Sequence, residues 1–246
     1  MGYEKQMRHL PFEKNFPSIS YIANNWPKTK HLLKKYVMSK QKKPDLYLLC
    51  QKCLNNFNIK KAGNFNFVIK KLSKICSQNF YFNTYHDQHH FKSVILISCL
   101  LAKLNNLKNK NELVLLIIIA LTHDLGHQGR RIINKPYYQE EKSFKELSKV
   151  LFRQILNLRK IQRIEKIFKS TFFPIKPENV DDLIEKIILD ADILASLMFG
   201  LENGMEFAKR LKHEIRFEDK SDKLFGGFLK LLNGKNLYLK SSKNSC

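Results

Sequence analysis

Asn83-Thr84-Tyr85-His86-Asp87-Gln88-His89-His90-Phe91-Lys92-Ser93-Val94 sets three imidazoles within five residues at the threshold of an almost wholly apolar run. Thr84, followed three residues later by Asp87, has the form of a capping box. A helix over 85–104 then puts His86 and His90 on one face, four residues apart, with His89 beside it. An imidazole taken out of water without a partner costs free energy. A satisfied helix-end histidine explains any one of the three, but the cluster calls for more, because two other apolar segments end the same way. Leu113 to Leu121 runs into Thr122-His123-Asp124-Leu125-Gly126-His127, and the apolar positions 183–189 run into Asp190-Ala191-Asp192. Each such group, buried and unpaired, costs roughly several kcal/mol. A shared metal ion is the simplest common partner.

Taken in order, these elements resemble the HD superfamily of metal-dependent phosphohydrolases. Within it they come closest to the class I cyclic nucleotide phosphodiesterase pattern Tyr-His-Asn-x-x-His-Ala-x-x-Val, His-Asp-x-x-His-x-Gly and a late Ala-Asp. The corresponding stretches are 85–94, 123–129 and Ala191-Asp192, and the similarity covers residues 65–215. It implies an all-α, HD/phosphodiesterase-like helical bundle. It also implies that His90, His123, Asp124 and Asp192 ligate a tighter metal, for which two imidazoles and two carboxylates suit Zn, Fe or Mn. By the same resemblance, Asp124 would bridge to a second divalent ion, Mg or Mn, and a metal-activated water would attack phosphorus. Asp124, His127 and His86 would form the catalytic set. His127 would hydrogen-bond the waters of the ions or help hold the second one, and His86 would protonate the leaving oxygen. The carboxylate that orients His86 is not identified by sequence. The phosphodiesterases carry a Glu-Asn-His-His run near the metals; this chain has none, and Glu141 or Glu146 is the candidate for an acid supporting the metal waters. Asp190 is expected to face away from the metals. Candidate substrate contacts are Tyr85, His89, Arg130, Phe225 and Phe228.

The chain departs from the pattern in places. Asp87 stands for the usual Asn, Phe91 for the usual Ala, and no glutamine follows Asp192 to hold a purine edge. Phosphoester chemistry survives these changes, whereas the preference for a cyclic purine nucleotide is weakened. The reading is therefore a 3′,5′-cyclic nucleotide phosphodiesterase acting on a small nucleotide. The alternative is a nucleoside monophosphatase or another small-phosphoester hydrolase of the superfamily. A regulator with a degenerate site is disfavoured because all four ligands are present. An RNA-binding or RNA-cleaving protein remains a third class.

Composition bears on that third class. The 246 residues hold 44 basic and 22 acidic side chains, a net charge of +22. Such a field draws polyanions or phosphorylated substrates. The same Lys-, Asn- and Ile-rich bias is what an AT-rich genome produces. The lysines are spread along the chain, and no motif interleaves them with aromatics, so nucleic acid is not the favoured partner. Five cysteines propose no disulfide framework. Cys50 and Cys53, one helical turn apart, read as core residues and not as half a zinc site. The longest apolar runs, 94–102 and 113–121, fall short of a membrane span, and no signal-peptide core opens the sequence. A cytoplasmic protein without a membrane partner follows, of unknown oligomeric state.

Three segments are expected: a helical N-terminal extension over 1–62, an HD core over 63–216, and a tail over 217–246 packed on or near the core. Within them, Asn111 is expected to cap the helix that ends at His123, and a helix is expected over 143–156. Gly200 is expected as a C-cap and Gly226-Gly227 as a turn, with a short strand over 237–239.

Overall fold

The computed structural model describes residues 18–39, 43–60, 62–78, 83–130, 132, 135–151, 157–172, 179–232 and 237–245, apart from the side chains of 228, 231 and 232. These residues form helices and no strand. In chain order they are α1 (Ile19–Asn24), α2 (Lys30–Val37), α3 (Leu46–Asn56), α4 (Phe65–Gln78), α5 (Gln88–Leu104), α6 (Lys110–Thr122), α7 (Tyr138–Leu151), α8 (Leu158–Ser170), α9 (Leu183–Leu197), α10 (Leu201–Ile215), α11 (Ser221–Leu232) and α12 (Lys240–Lys243).

The all-round apolar sequence of α5 makes it the axis of the bundle, since a helix without a polar face is stable only when surrounded. Every residue from His90 to Ala102 is buried. Against it pack α6 and α9, the two helices that carry the later motifs, and α1, α2 and α3 from the N-terminal side. Ile19, Ile22, Leu33 and Leu49 thereby join the same core as Ile95, Ile118 and Ile188. The helix α4 lies on α3, α6 and α7, and α10 and α11 both pack on α9. Cys50, Cys53, Cys76 and Cys99 are free thiols buried in this core.

Several sequence expectations are corrected. The helix after the histidine cluster begins at Gln88, not at 85, and its cap is Asp87, whose side chain accepts from the backbone N–H of His89 and His90. Thr84 does not cap it; its hydroxyl lies instead against the carbonyl of Arg210, to which it donates at 2.8 Å. His86 therefore lies in the bend before the helix. Asn109, two residues before the expected Asn111, caps α6. The helix α7 starts at Tyr138, five residues early, and 152–156 lie outside the described residues. Gly200 opens α10 instead of closing α9; its φ of 101° is one that only glycine adopts without strain. Gly226 and Gly227 lie inside α11.

The segment 237–239 is a buried connection rather than a strand. The Asp190 carboxylate accepts from the N–H of Tyr238 and Leu239, at 2.9 and 2.8 Å. Beyond it, Ser245 accepts from Trp26 Nε1 at 3.1 Å and, through its carbonyl, from Lys30 Nζ at 2.6 Å. The segment 237–245 is thus tied both to α9 and to the N-terminal helices. No helix among the described residues is long and apolar enough to cross a membrane.

Candidate metal centre

Two helix ends and the middle of a third helix bring four candidate ligands together. The first turn of α5 brings His90, the C-terminal end of α6 brings His123 and Asp124, and the middle of α9 brings Asp192. One ligand atom from each of the four lies within 4.8 Å of every other. His90 Nε2 is 3.0 Å from Asp124 Oδ2, 3.1 Å from Asp192 Oδ1 and 3.3 Å from His123 Nε2. His123 Nε2 is 2.9 Å from Asp124 Oδ2. His90 and His123 are buried; Asp192 keeps some exposure and forms the open side.

The donor set fits a cation. His123 Nδ1 lies 3.1 Å from the carbonyl of Ala120, to which it donates. In the neutral ring, Nε2 then aims a lone pair at two carboxylates and at the Nε2 of another imidazole. Such an array is favourable only with a positive charge among its members, either protons or a metal. Burial by itself would lower both histidines. The hydrogen bonds and charge of Asp124 and Asp192 outweigh it, pushing His90 up to about 9 and His123 up to about 10. Against their own burial, the imidazoles hold Asp124 and Asp192 well below the usual carboxylate range. His90 Nδ1 is buried without a hydrogen-bond partner, so that ring is satisfied only through the nitrogen facing the cluster.

A second group, His86, His127 and Glu214, adjoins the first across Asp124. The two rings stack with centroids 3.6 Å apart. His86 Nε2 is 3.8 Å from Asp124 Oδ2, and His127 Nε2 is 3.6 Å from Asp124 Oδ1. Behind them, Glu214 Oε1 is 2.5 Å from His86 Nδ1 and 4.0 Å from His127 Nδ1. Glu214 Oε2 accepts from the N–H of Tyr85 and His86, at 2.7 and 3.0 Å. Burial would raise this carboxyl, yet His86 and these two N–H groups hold it down at about 2. His127 is pushed down to about 3, first by burial and then by His86. One turn before Glu214, Arg210 donates to the carbonyl of Thr84 and pairs with Asp87. A single face of α10 therefore grips the whole bend that carries His86.

Glu214 is the carboxylate that sequence reading did not find. Its signal was present: Phe207, Leu211 and Glu214 lie on one helical face, so an acid continues an apolar stripe. Glu141 and Glu146, the acids considered in sequence, do not face the cluster. Glu141 is exposed and pairs with Lys169, and Glu146 pairs with Lys149. Their neighbour Glu140 is buried instead, and its Oε2 meets no donor. Burial, with the charge of Asp124 adding to it, pushes Glu140 up to about 7. Gly126 accounts for the approach of α7. A Cβ there would sit 2.2 Å from the Gln139 carbonyl oxygen, and the Gly126 N–H donates to Ser143 Oγ at 2.7 Å.

The candidate substrate contacts fall in different places. Tyr85 is buried, with its hydroxyl 2.6 Å from Ser196 Oγ and its ring 5.1 Å from that of His90. His89 turns toward Lys92, whose Nζ is 3.5 Å from its Nδ1. Arg130 is exposed and donates to Gln128. Phe225 lies apart from the metal residues, in a cleft of about 530 Å³ with Leu197, Phe199 and Leu229. The Phe228 side chain is outside the description, as are Arg131 and residues 173–178. Asp190 points away from the cluster, as expected, into the C-terminal connection.

Residues 88–197 match the family model of the HD domain. No curated protein and no solved structure matches the chain.

Proposed function

We propose that this chain is a metal-dependent phosphohydrolase of the HD superfamily and that it cleaves a phosphodiester in a small nucleotide, with a 3′,5′-cyclic nucleotide as its first substrate. The observation that carries the reading is the junction at Asp124. A four-ligand metal cluster adjoins, across one carboxylate, an imidazole backed by a buried acid. His90, His123, Asp124 and Asp192 would hold the tighter ion, of Zn, Fe or Mn type. Asp124, with His127 beside it, would help to hold a second ion, Mg or Mn. When bound, divalent cations there supply a water acidic enough to attack at neutral pH and neutralise charge on the phosphoryl oxygens.

The remaining chemistry belongs to the side chains. Glu214 accepts from His86 Nδ1, which fixes the ring and leaves Nε2 facing the cluster. In its protonated form the ring, held at Nδ1 by Glu214, presents Nε2–H toward the cluster and gives that proton to the leaving oxygen. Phosphodiester cleavage needs this acid because an alkoxide is a poor leaving group. Since no glutamine follows Asp192, the bidentate partner of a purine edge is lacking, and discrimination between bases is modest.

The test is a panel of cyclic AMP, cyclic GMP, nucleoside monophosphates, dinucleotides and a nitrophenyl phosphodiester, each with Mg, Mn, Zn or Fe supplied. Cleavage of the cyclic nucleotides with little base preference is expected. Cleavage of monophosphates with cyclic nucleotides untouched installs the phosphatase alternative. Elemental analysis of wild type and Asp124→Ala tests the centre itself: the variant loses both metal and activity, and full metal content in D124A rejects the ligand assignment.

A further inference from the structure

The lysines are spread along the chain, but the acids are not. Residues 14–86 contain 14 lysines, no arginine and one acid, Asp45, a net charge of +13. Residues 87–246 contain 28 basic and 19 acidic residues, a net charge of +9 over more than twice the length. A uniform compositional bias toward lysine does not remove acids from one segment. On the structure this difference is seen by comparing two helices of similar length. The helix α8 is basic, yet Arg163 pairs with Glu112 and Asp182, Lys166 with Glu185, and Lys169 with Glu165 and Glu141. The helix α4 contains no acid, and Lys70, Lys71 and Lys74 are exposed and make no ion pair among the described residues.

These lysines share one face with Phe67, at the helical spacing of positions 67, 70, 71 and 74. Phe67 is 68% exposed, the most exposed large apolar side chain described. The apolar stripe of α4, Val68, Ile69, Leu72 and Cys76, is buried in the core. What α4 presents to solvent is therefore a row of cations with a single ring at one end. The other end abuts the metal centre. Gln88, the first residue of α5, donates to the Ser77 carbonyl at 2.7 Å, and Cys76 Sγ donates to the carbonyl of Leu121, at 3.3 Å.

We infer that the outer face of α4 is a docking surface for single-stranded nucleic acid, leading from Phe67 toward the metal centre. Lysines one turn apart track a phosphate backbone, and an exposed ring stacks an unpaired base. A lipid surface fits less well, since insertion requires an apolar face and that of α4 is already buried. A duplex offers phosphates but no open base for Phe67. The inference concerns binding and stands apart from the proposed hydrolysis.

The probe is a short fluorescein-labelled oligouridylate, titrated in fluorescence anisotropy against the full chain at several salt concentrations. Lys70→Gln/Lys71→Gln/Lys74→Gln should weaken binding and lower the slope of log K against log salt by about 2, at about 0.7 per phosphate contact on a single strand. Phe67→Ala should weaken binding about tenfold with the slope unchanged. The charge-matched control Lys160→Gln/Lys166→Gln/Lys169→Gln on α8 should leave affinity near wild type. All these positions are on the surface, and thermal melts verify that each variant is folded. Equal losses from the two triple variants would mean that only overall charge is read, and would overturn the assignment. So would an unchanged affinity in the α4 variant, or α4-dependent binding to phosphatidylserine vesicles with none to the oligonucleotide. Because binding is read without turnover, D124A, which disables the proposed hydrolysis, should bind the oligonucleotide as wild type does.

Discussion

The imidazole of His86 is held by one atom, Oε1 of Glu214, and the consequences of removing each partner differ. His86→Ala should slow cleavage of an alkoxide-leaving substrate by roughly 100-fold or more while metal content stays at the wild-type level. A nitrophenyl diester, whose leaving group needs no proton, should lose much less, and equal losses on both substrates would refute the acid role. Glu214→Gln should reproduce part of that loss with the same dependence on leaving group. The double variant should be little worse than H86A alone, as expected for residues that act as a unit. Glu140 allows a second measurement at this scale. Its folded-state value of about 7 lies above its ordinary 4.5. Between those two values the unfolded chain gives up the proton and the folded chain keeps it, so stability falls as pH rises through that window and levels off above it. Metal-free Glu140→Gln should match wild type in urea at the acid end of the window and exceed it at the alkaline end. The four residues of the candidate metal cluster were legible in the sequence because each lies at the end of an apolar run or interrupts one. Glu214 left a weaker signal, an acid continuing the stripe of Phe207 and Leu211 but flanked by Arg210, Lys212 and His213, and Glu140, beside Glu141, left none, because one inward-facing acid among charged neighbours resembles the solvated ones.

Helix interiors were readable and helix starts were not, for a reason visible at α5. Thr84 and Asp87 both have side chains that cap helices, and sequence does not show that Arg210 claims the Thr84 hydroxyl from a distance of 126 residues. Asp87 also receives the Arg210 guanidinium, so it holds the start of α5 and the bend carrying His86 at once. Asp87→Ala should therefore destabilise the protein in urea by more than the ~1 kcal/mol of a lost cap. Asp87→Asn, which keeps the cap but not the charge, should recover a good part of that stability. If both variants cost the same, the cap contributes nothing and the Arg210 pair carries the effect. The Asn in the corresponding position of the phosphodiesterase pattern suits the capping role alone. Gly126 marks a similar constraint: α7 approaches the His-Asp turn so closely that any side chain there displaces one or the other. The sequence did not show that Gly126 is required by the approach of a helix starting at Tyr138.

For the molecule as a whole, α9 works in two directions. Asp192 faces the metal residues while Asp190, two positions earlier, anchors the connection at Tyr238 and Leu239. Asp190→Ala should release that connection, and with it the contact between Ser245 and Trp26, the single tryptophan. Its emission should move to the red and the melting temperature should fall, while metal content remains, because Asp192 is untouched. Loss of metal in D190A would show that the two carboxylates are not independent. The helical class of the bundle was expected from the resemblance its motifs carry; the meeting of both ends of the described chain was not, since nothing local in 237–245 announces a distant partner. The crowding of His90 and His123 against two carboxylates has one further consequence. With values of about 9 and 10, both rings carry a proton at neutral pH until a cation displaces it. Loading is then an exchange, with acid released into the medium for each site filled. The heat of metal uptake by calorimetry should shift with the ionisation enthalpy of the buffer, with a slope close to the two protons given up. Trace metal should also be captured markedly better in mildly alkaline solution than in mildly acidic solution.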